Sequence, residues 1–239
     1  MKYIIEIATT DFPTTRAAAE GGADRIELCA ALSEGGITPS HGMILRCRES
    51  FDVALFPMIR PRAGDFLYSD DEFRVMQLDV AFCRKAGCEG VVFGMLKRNG
   101  DMDLQRMAKL VELAYPMEVT IHRAFDRCRD PFAALEELVN IGCQRILSSG
   151  QAATAENGLP LIAKLVEAAD DRIIIMPGSG VRKENIRTLA AETGAREFHS
   201  SLKGVARSAM EFVHPDLPES GNASIDPAEV KALRNALNI

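Results

Sequence analysis

Side chains that could carry out acid–base chemistry follow several short hydrophobic runs in this sequence. In VTIHRAFD, residues 119–126, a β-branched run leads directly into His122, Arg123 and Asp126. His122 is a candidate general acid or base, Glu27 a candidate second carboxylate, and Arg60 a candidate clamp for an anionic substrate. These residue types predict isomerase, lyase or aldolase chemistry on a small anionic metabolite.

A larger group of polar residues would bind that ligand. These candidates are Glu6, Arg62, Asp65, Arg123, Asp126, Ser149, Gly178, Ser179, Gly180, His199 and Ser201. The segments SSG (148–150) and GSG (178–180) let the backbone approach a phosphate group closely. Glycines after a strand are also ordinary turn residues, so that pattern keeps two interpretations. The carboxylates and His122 offer a second alternative, a site for a divalent metal.

Eight short hydrophobic runs predict the strands that position these groups. They are Tyr3–Ala8, Asp24–Cys29, Val53–Arg60, Gly90–Gly94, Glu118–His122, Arg145–Ser148, Arg172–Pro177 and Glu197–Ser200. Their spacing is that of a strand followed by a crossover helix. Helix starts are predicted at Asp11 or Phe12 before Pro13, Thr38 before Pro39, Ser69 to Glu72, Asp130 before Pro131, and Asp226 before Pro227. Helix ends are predicted near Gly21, Gly87, Gly142 and Gly194.

This alternation predicts an α/β fold, a single (β/α)8 TIM barrel that occupies residues 1–239 as one domain. An open doubly wound sheet is the alternative, but the first strand-to-helix turn, ATTDFP, lacks a glycine-rich dinucleotide fingerprint. A barrel brings the carboxyl ends of all strands to one face, so the candidate residues should gather around one mouth. The irregular segment from about 203 to 225 is expected to form a loop over that mouth.

Charged residues at these strand ends need partners if they point into the barrel. Glu6 and Glu27 would each cost a few kcal/mol when buried alone, and Arg60 and Arg62 are the expected partners. Any one of these charges can also be a structural ion pair. The inference of a functional mouth therefore depends on the convergence of several strands.

Composition limits the partners that the protein can have. The net charge of −6 disfavours nucleic acid and anionic membrane surfaces. The longest apolar runs fall well short of the roughly 20 residues of a membrane span, and the N-terminal segment does not resemble a secretory signal. Six cysteines without a C-x-x-C pair predict reduced thiols in the cytoplasm.

Seven segments together resemble the CutC family of copper homeostasis proteins. They are GGADRIELC (21–29), EGGITPS (34–40), MIRPRAGDFLYSD (58–70), VTIHRAFD (119–126), RILSSG (145–150), MPGSGV (176–181) and EFHSS (197–201). The segments follow the order of the family and cover most of the chain up to about residue 201. The resemblance implies a cytosolic TIM barrel with a role in copper tolerance and intracellular copper handling.

The resemblance also implies copper ligands near the barrel mouth. Cys29 matches one family cysteine, whereas Ala8 stands at the position of the other. Because Cu(I) prefers thiolate and thioether ligands, Cys128 is the candidate second ligand, and Met58 and Met95 are further candidates. Met and Cys also commonly fill protein cores. A Cu(I)-binding protein without turnover and an enzyme for a small anionic metabolite are thus both open hypotheses, as is a homo-oligomer.

Overall fold

The computed structural model of the protein describes residues 2–217 and 221–237. The strands are β1 (Ile4–Thr9), β2 (Arg25–Leu28), β3 (Ala54–Pro57), β4 (Gly90–Phe93), β5 (Glu118–Ile121), β6 (Arg145–Ser148), β7 (Ile174–Pro177), β8 (Glu197–Ser200), β9 (Gly204–Ala206) and β10 (Asn222–Ser224). The helices are α1 (Phe12–Glu20), α2 (His41–Ser50), α3 (Asp70–Lys85), α4 (Leu104–Ala114), α5 (Pro131–Asn140), α6 (Leu159–Ala169), α7 (Ile186–Thr193) and α8 (Pro227–Asn235).

The strands β1 to β8 form two four-stranded parallel sheets that close on each other. The strand orders are β3-β2-β1-β8 and β4-β5-β6-β7. Between β3 and β4, Met58 pairs in parallel with Val92, and the Ile59 amide donates to the Val92 carbonyl at 2.7 Å. Between β7 and β8, a Cβ placed on Gly178 would lie 3.3 Å from the Cβ of His199. The predicted (β/α)8 barrel is therefore confirmed.

Helix boundaries follow the predicted capping residues with one exception. The side chains of Asp11, Asp130 and Asp226 accept from main-chain amides at the starts of α1, α5 and α8, and Ser69 and Glu72 form the capping box of α3. Helix α2 begins at His41 with Ser40 as its N-cap, so the predicted start at Thr38–Pro39 is wrong. Thr38 instead bonds to the backbone of Arg60 through its amide and its hydroxyl group, at 2.9 Å each.

The predicted helix ends agree with the structure, because α1, α3, α5 and α7 each end within two residues of the expected glycine. Gly194 takes the left-handed conformation, with φ of 73°, immediately after α7. That conformation is easy for glycine and stops the helix there.

The amino end of the barrel interior is filled by an ion network, which we call the ionic floor: Arg25, Arg145 and Glu197. Arg25 donates to Glu6 and, at 2.6 Å, to Glu197; Arg145 also donates to Glu197 at 2.6 Å. Both guanidinium groups lie over the ring of Phe56, at 5.1 and 5.6 Å from its centre. The expected pairing of Glu6 with Arg60 or Arg62 is therefore wrong, because the register of β1 on β2 pairs Glu6 with Arg25.

The segment 203–225, expected as an irregular loop, contains a short two-stranded ribbon. Strands β9 and β10 pair in an antiparallel manner, and β10 lies next to α1. The segment also exposes more than half of five large hydrophobic side chains: Val205, Met210, Phe212, Val213 and Leu217. Within the described ranges, no helix combines the length and the apolar character that crossing a membrane requires.

Candidate functional site

A cavity of about 750 Å³ opens at the carboxyl ends of the strands, and we call it the mouth cavity. Many of the candidate residues predicted from the sequence line it. They are Glu27, Arg60, His122, Arg123, Asp126, Ser179, Gly180, His199 and Ser201. These residues come from five strands or the loops that follow them, so closure of the barrel gathers positions that are up to 174 residues apart.

Two predicted candidates lie away from the mouth cavity. Arg62 is bonded to Glu72 and, at 3.0 Å, to Asp65, and it stacks on Tyr68. This cluster holds the start of α3, and the side chain of Asp65 is 70% exposed. Arg62 lies in the irregular loop after β3, so strand alternation does not direct it toward the mouth as we expected.

Two further candidates support the wall of the cavity. Gly178 is packed tightly, because a Cβ on it would lie 2.4 Å from Leu147. Ser149 lies beneath Arg123, which donates to its hydroxyl oxygen at 2.8 Å. Gly178 therefore allows the chain to pack closely against Leu147, and Ser149 holds the side chain of Arg123 in place.

Glu6, Glu27 and His199 form a buried cluster at the base of the mouth cavity. The Nδ1 atom of His199 lies 2.7 Å from Oε1 of Glu6, and its Nε2 atom lies 3.8 Å from Oε2 of Glu27. Burial alone would raise the pKa of Glu6, but the charge of Arg25 and the bond to His199 together outweigh it and lower that pKa to about 2. Burial raises the pKa of Glu27 to about 7, against the opposing charge of His199. Burial would lower the pKa of His199, but the charge of Glu27 and the bond to Glu6 raise it.

His122 is a neutral hydrogen-bond donor on the wall of the cavity. Burial lowers its pKa to about 3, and the charge of Arg60 adds to this effect. Its Nδ1 atom accepts from the amide of Ala124 at 3.2 Å, so the proton of the neutral ring lies on Nε2. The Nε2 atom is buried and has no hydrogen-bond partner in the described part of the chain. The ring packs against Phe66, with the two ring centres 4.8 Å apart.

Arg60 shapes the loops around the cavity. Its terminal nitrogens donate to the carbonyl oxygens of Glu34, Gly36 and Gly64 at 2.8–2.9 Å. Only its buried Nε lacks a partner among residues 2–217 and 221–237. We expected Arg60 to clamp an anion, but in the structure most of its N–H groups donate to main-chain carbonyl oxygens.

Asp126 and Arg123 connect the loops after β5, β6 and β7. Asp126 accepts from the hydroxyl groups of Ser148 and Ser149, at 2.6 and 2.9 Å, and from the Ser149 amide at 3.0 Å. Arg123 donates through Nε to Asp126 at 2.8 Å, and a terminal nitrogen lies 3.4 Å from the hydroxyl oxygen of Ser179. The side chain of Arg123 is 43% exposed, so part of it remains open to a ligand.

Three cationic residues that line the cavity were not among the predicted candidates: Arg127, Arg182 and Lys203. Each lies within two residues of a predicted candidate, so their proximity in the sequence was the signal that could have identified them. With Arg60 and Arg123, cationic side chains outnumber the acidic lining residues Glu27, Glu34 and Asp126. The mouth is thus locally basic in a chain of net charge −6.

The candidate thiol ligands are not brought together. Cys29 is fully buried, packs with Met58, and donates to the carbonyl of Thr9 at 3.4 Å; burial raises its pKa. Cys128 lines a different cavity, and burial raises its pKa to about 11. Met95 belongs to the main hydrophobic core, whereas Cys29 and Met58 form a separate cluster.

Comparison with known proteins identifies the family of the chain. The model of the CutC family matches residues 3–204. A CutC protein of Parabacteroides distasonis is 50% identical over 219 residues, which is 91% of this chain and 90% of the relative. A CutC protein of Chromobacterium violaceum is 46% identical over 245 residues and covers 100% of this chain and 99% of its own.

Solved structures agree with this assignment. The crystal structure of a CutC protein from Streptococcus agalactiae superposes with a TM-score of 0.80 at 30% identity, covering 83% of this chain and 98% of that one. N-(5'-phosphoribosyl)anthranilate isomerase from Pyrococcus furiosus has a TM-score of 0.60 at 12% identity and covers 98% of both chains, which shows a shared barrel fold. The sequence and structural matches together establish that the chain belongs to the CutC family.

Proposed function

We propose that the mouth cavity binds a small anionic metabolite and that the protein is an enzyme of the isomerase, lyase or aldolase kind. The observation that carries this proposal is the concentration of cationic side chains around one cavity in an acidic protein. A concave site with one sign of charge focuses the field and attracts the opposite ion. A cavity of about 750 Å³ also has the size of a small-molecule site.

The proposed chemistry follows from the neutral state of His122. A neutral imidazole with its proton on Nε2 can donate to a carbonyl oxygen of the substrate and stabilise the negative charge that develops there. Such polarisation is common to reactions that form an enol or enediol next to a carbonyl group. Arg123, Arg182 and Lys203 would bind the anionic end of the same molecule.

Isothermal titration with 2-phosphoglycolate tests the binding step. We expect Lys203→Gln combined with Arg182→Gln to weaken binding by about tenfold, because two rim charges are lost, and we expect the neutral analogue glycolamide not to bind. The matched control is Arg172→Gln, since Arg172 pairs with Glu136 on the outer surface. Equal affinity in the double variant and the control would rule out an anion site at the rim.

Proton exchange tests the catalytic step. The protein should promote exchange of the α-proton of a phosphorylated hydroxyketone with D2O, followed by NMR. We expect His122→Gln to slow this exchange at least tenfold while 2-phosphoglycolate still binds. Unchanged exchange in His122→Gln would remove the proposed role of this residue.

Copper handling is the second candidate function, and one contact favours it. The sulfur of Cys29 and the terminal methyl group of Met58 both lie 3.4 Å from the position of a Cβ built on Gly36, beside the mouth cavity. The burial of Cys29 and its raised pKa oppose thiolate formation, so the geometry supports this function less well. Competition for Cu(I) with a coloured chelator tests it. Cys29→Ser should then abolish binding, whereas Cys143→Ser should leave it intact.

We also propose that the protein acts in the cytoplasm. Its six cysteines all lie in the described part of the chain, and all are free thiols. Free thiols are typical of a reducing compartment.

A further inference from the structure

The base of the mouth cavity contains a cluster of three potential metal ligands. Glu6 on β1, Glu27 on β2 and His199 on β8 offer ligand atoms that all lie within 4.8 Å of one another. These three strands are direct neighbours in one sheet, and each of the three residues is buried. The cluster is thus held by the barrel itself and not by loops.

The hydrogen bonding of His199 orients one ring nitrogen toward Glu27. Its Nδ1 atom is held by Glu6 at 2.7 Å, which leaves Nε2 facing Oε2 of Glu27 at 3.8 Å. A carboxylate on one nitrogen of a histidine commonly orients the other nitrogen toward a metal. Bonds from Zn²⁺ to nitrogen and oxygen are about 2.0–2.2 Å, so one cation can bridge a separation of 3.8 Å.

Glu27 provides independent support for a ligand at this place. Its Oε1 atom is buried and has no hydrogen-bond partner within the described ranges, although the residue lines the cavity and is only 3% exposed. Glu6 and Glu197 each bond to an arginine of the ionic floor, whereas His199 alone forms an ion pair with Glu27 in the described structure. A buried carboxylate oxygen without a donor is costly, and a bound cation would satisfy it.

We propose that Glu27 and His199 bind one divalent cation at the base of the mouth cavity, with Glu6 as the residue that positions His199. A site of one imidazole and a carboxylate suits Zn²⁺ or Mn²⁺, because both accept nitrogen and oxygen ligands. The remaining coordination positions face the cavity, where an anionic ligand can complete them. The inference rests on the proposed function only in that both use this cavity.

Titration of the metal-free protein tests the site. Protein treated with EDTA and dialysed is titrated with MnCl2 or ZnCl2 and followed by calorimetry, with no organic anion present. We expect one equivalent of at least one of the two metals to bind. Glu27→Gln and His199→Gln should each weaken binding by at least about tenfold, and Glu6→Gln by about 10–100-fold, as is typical when the partner of a ligating histidine is lost.

The matched control is His41→Gln. His41 also lies near a carboxylate, with its Nε2 3.4 Å from Asp79, but its side chain is 53% exposed. This variant should bind the metal as the wild type does. The proposal is overturned if neither metal binds stoichiometrically, if Glu27→Gln and His199→Gln bind normally, or if His41→Gln abolishes binding.

A crystallographic measurement does not depend on the folding of any variant. Anomalous diffraction from wild-type crystals soaked in MnCl2 or ZnCl2 should show a peak between Glu27 and His199, and peaks only elsewhere would overturn the site. Wild-type protein that binds 2-phosphoglycolate but neither metal would reject this inference alone. The reverse result would reject the anion site and leave the metal site standing.

Discussion

Replacement of Arg25 by methionine should strongly destabilise the protein, because Arg25 connects two buried carboxylates. It donates to Glu6 and to Glu197, and the exposed fraction of its side chain is 6%. Methionine keeps much of the volume and the contact with Phe56, so the substitution removes mainly the charge and the hydrogen bonds. Among the described residues, Glu6 and Glu197 would then keep only His199 and Arg145 as cationic partners.

The expected loss in the free energy of unfolding is about 3–5 kcal/mol. Hydrogen bonds to charged groups contribute about 1.5–3 kcal/mol each, and Arg25 makes two of them to carboxylates. Removal of one partner from a buried ion pair typically costs about 3–5 kcal/mol, because the other charge stays buried without compensation. The value from the lost hydrogen bonds and the value from the broken ion pair therefore agree.

Urea denaturation followed by circular dichroism measures this loss. The matched control is Arg172→Met, since Arg172 donates to Glu136 at 2.6 and 2.7 Å but both side chains are about half exposed. The control should lower the free energy of unfolding far less, because surface ion pairs contribute little to stability. Similar costs for Arg25→Met and Arg172→Met would refute the reasoning that burial sets the magnitude. Arg25→Met combined with Glu197→Gln should cost less than the sum of the single variants, because the two residues share a bond.

Three further predictions concern the walls of the mouth. Burial lowers the pKa of His122 to about 3, so below about pH 6.5 the unfolded chain binds a proton at this residue more readily than the folded protein does. The stability that the neutral ring contributes is therefore complete above about pH 6.5 and is lost as the pH falls. His122→Gln should therefore reduce the pH dependence of urea unfolding between pH 6 and 4 by up to about 1.4 kcal/mol per pH unit, and an unchanged slope would contradict this. Gly94→Ala should cost about 1–3 kcal/mol in thermal unfolding, because the added Cβ would lie 2.7 Å from Nδ1 of His122. Gly42→Ala in α2 should be neutral or stabilising, because the added Cβ would meet no atom of another described element within 4 Å. Asp126→Asn should cost about 2–4 kcal/mol, since Asp126 accepts several partly buried hydrogen bonds. Asp65→Asn on the surface should have a much smaller effect, and equal losses would count against the proposed role of Asp126.

The barrel could be predicted because hydrophobic runs and capping residues are local features. Asp11, Ser69 and Asp130 each mark a helix start with groups only a few residues apart. The gathering of Glu27, His122 and His199 at one mouth then follows from the topology, because parallel strands present their carboxyl ends together.

The partners inside the barrel could not be predicted because they depend on the register between strands. Glu6 pairs with Arg25 on one side and with His199 on the other, and those residues are 19 and 193 positions away. We expected Arg60 and Arg62 as the partners because both lie at or just after the end of a predicted strand. In the structure Arg60 bonds to loop carbonyls, which no periodicity reveals.

Glu6 joins the ionic floor to the base of the mouth, because it bonds to Arg25 and to His199. The residues on either side of it therefore cannot change independently. A library that aims to give this barrel a chosen catalytic activity should randomise Arg25 and Glu197 together with Glu27 and His199. One-at-a-time libraries would test each replacement against neighbours selected for the original side chain, and they would discard combinations that work only as a set.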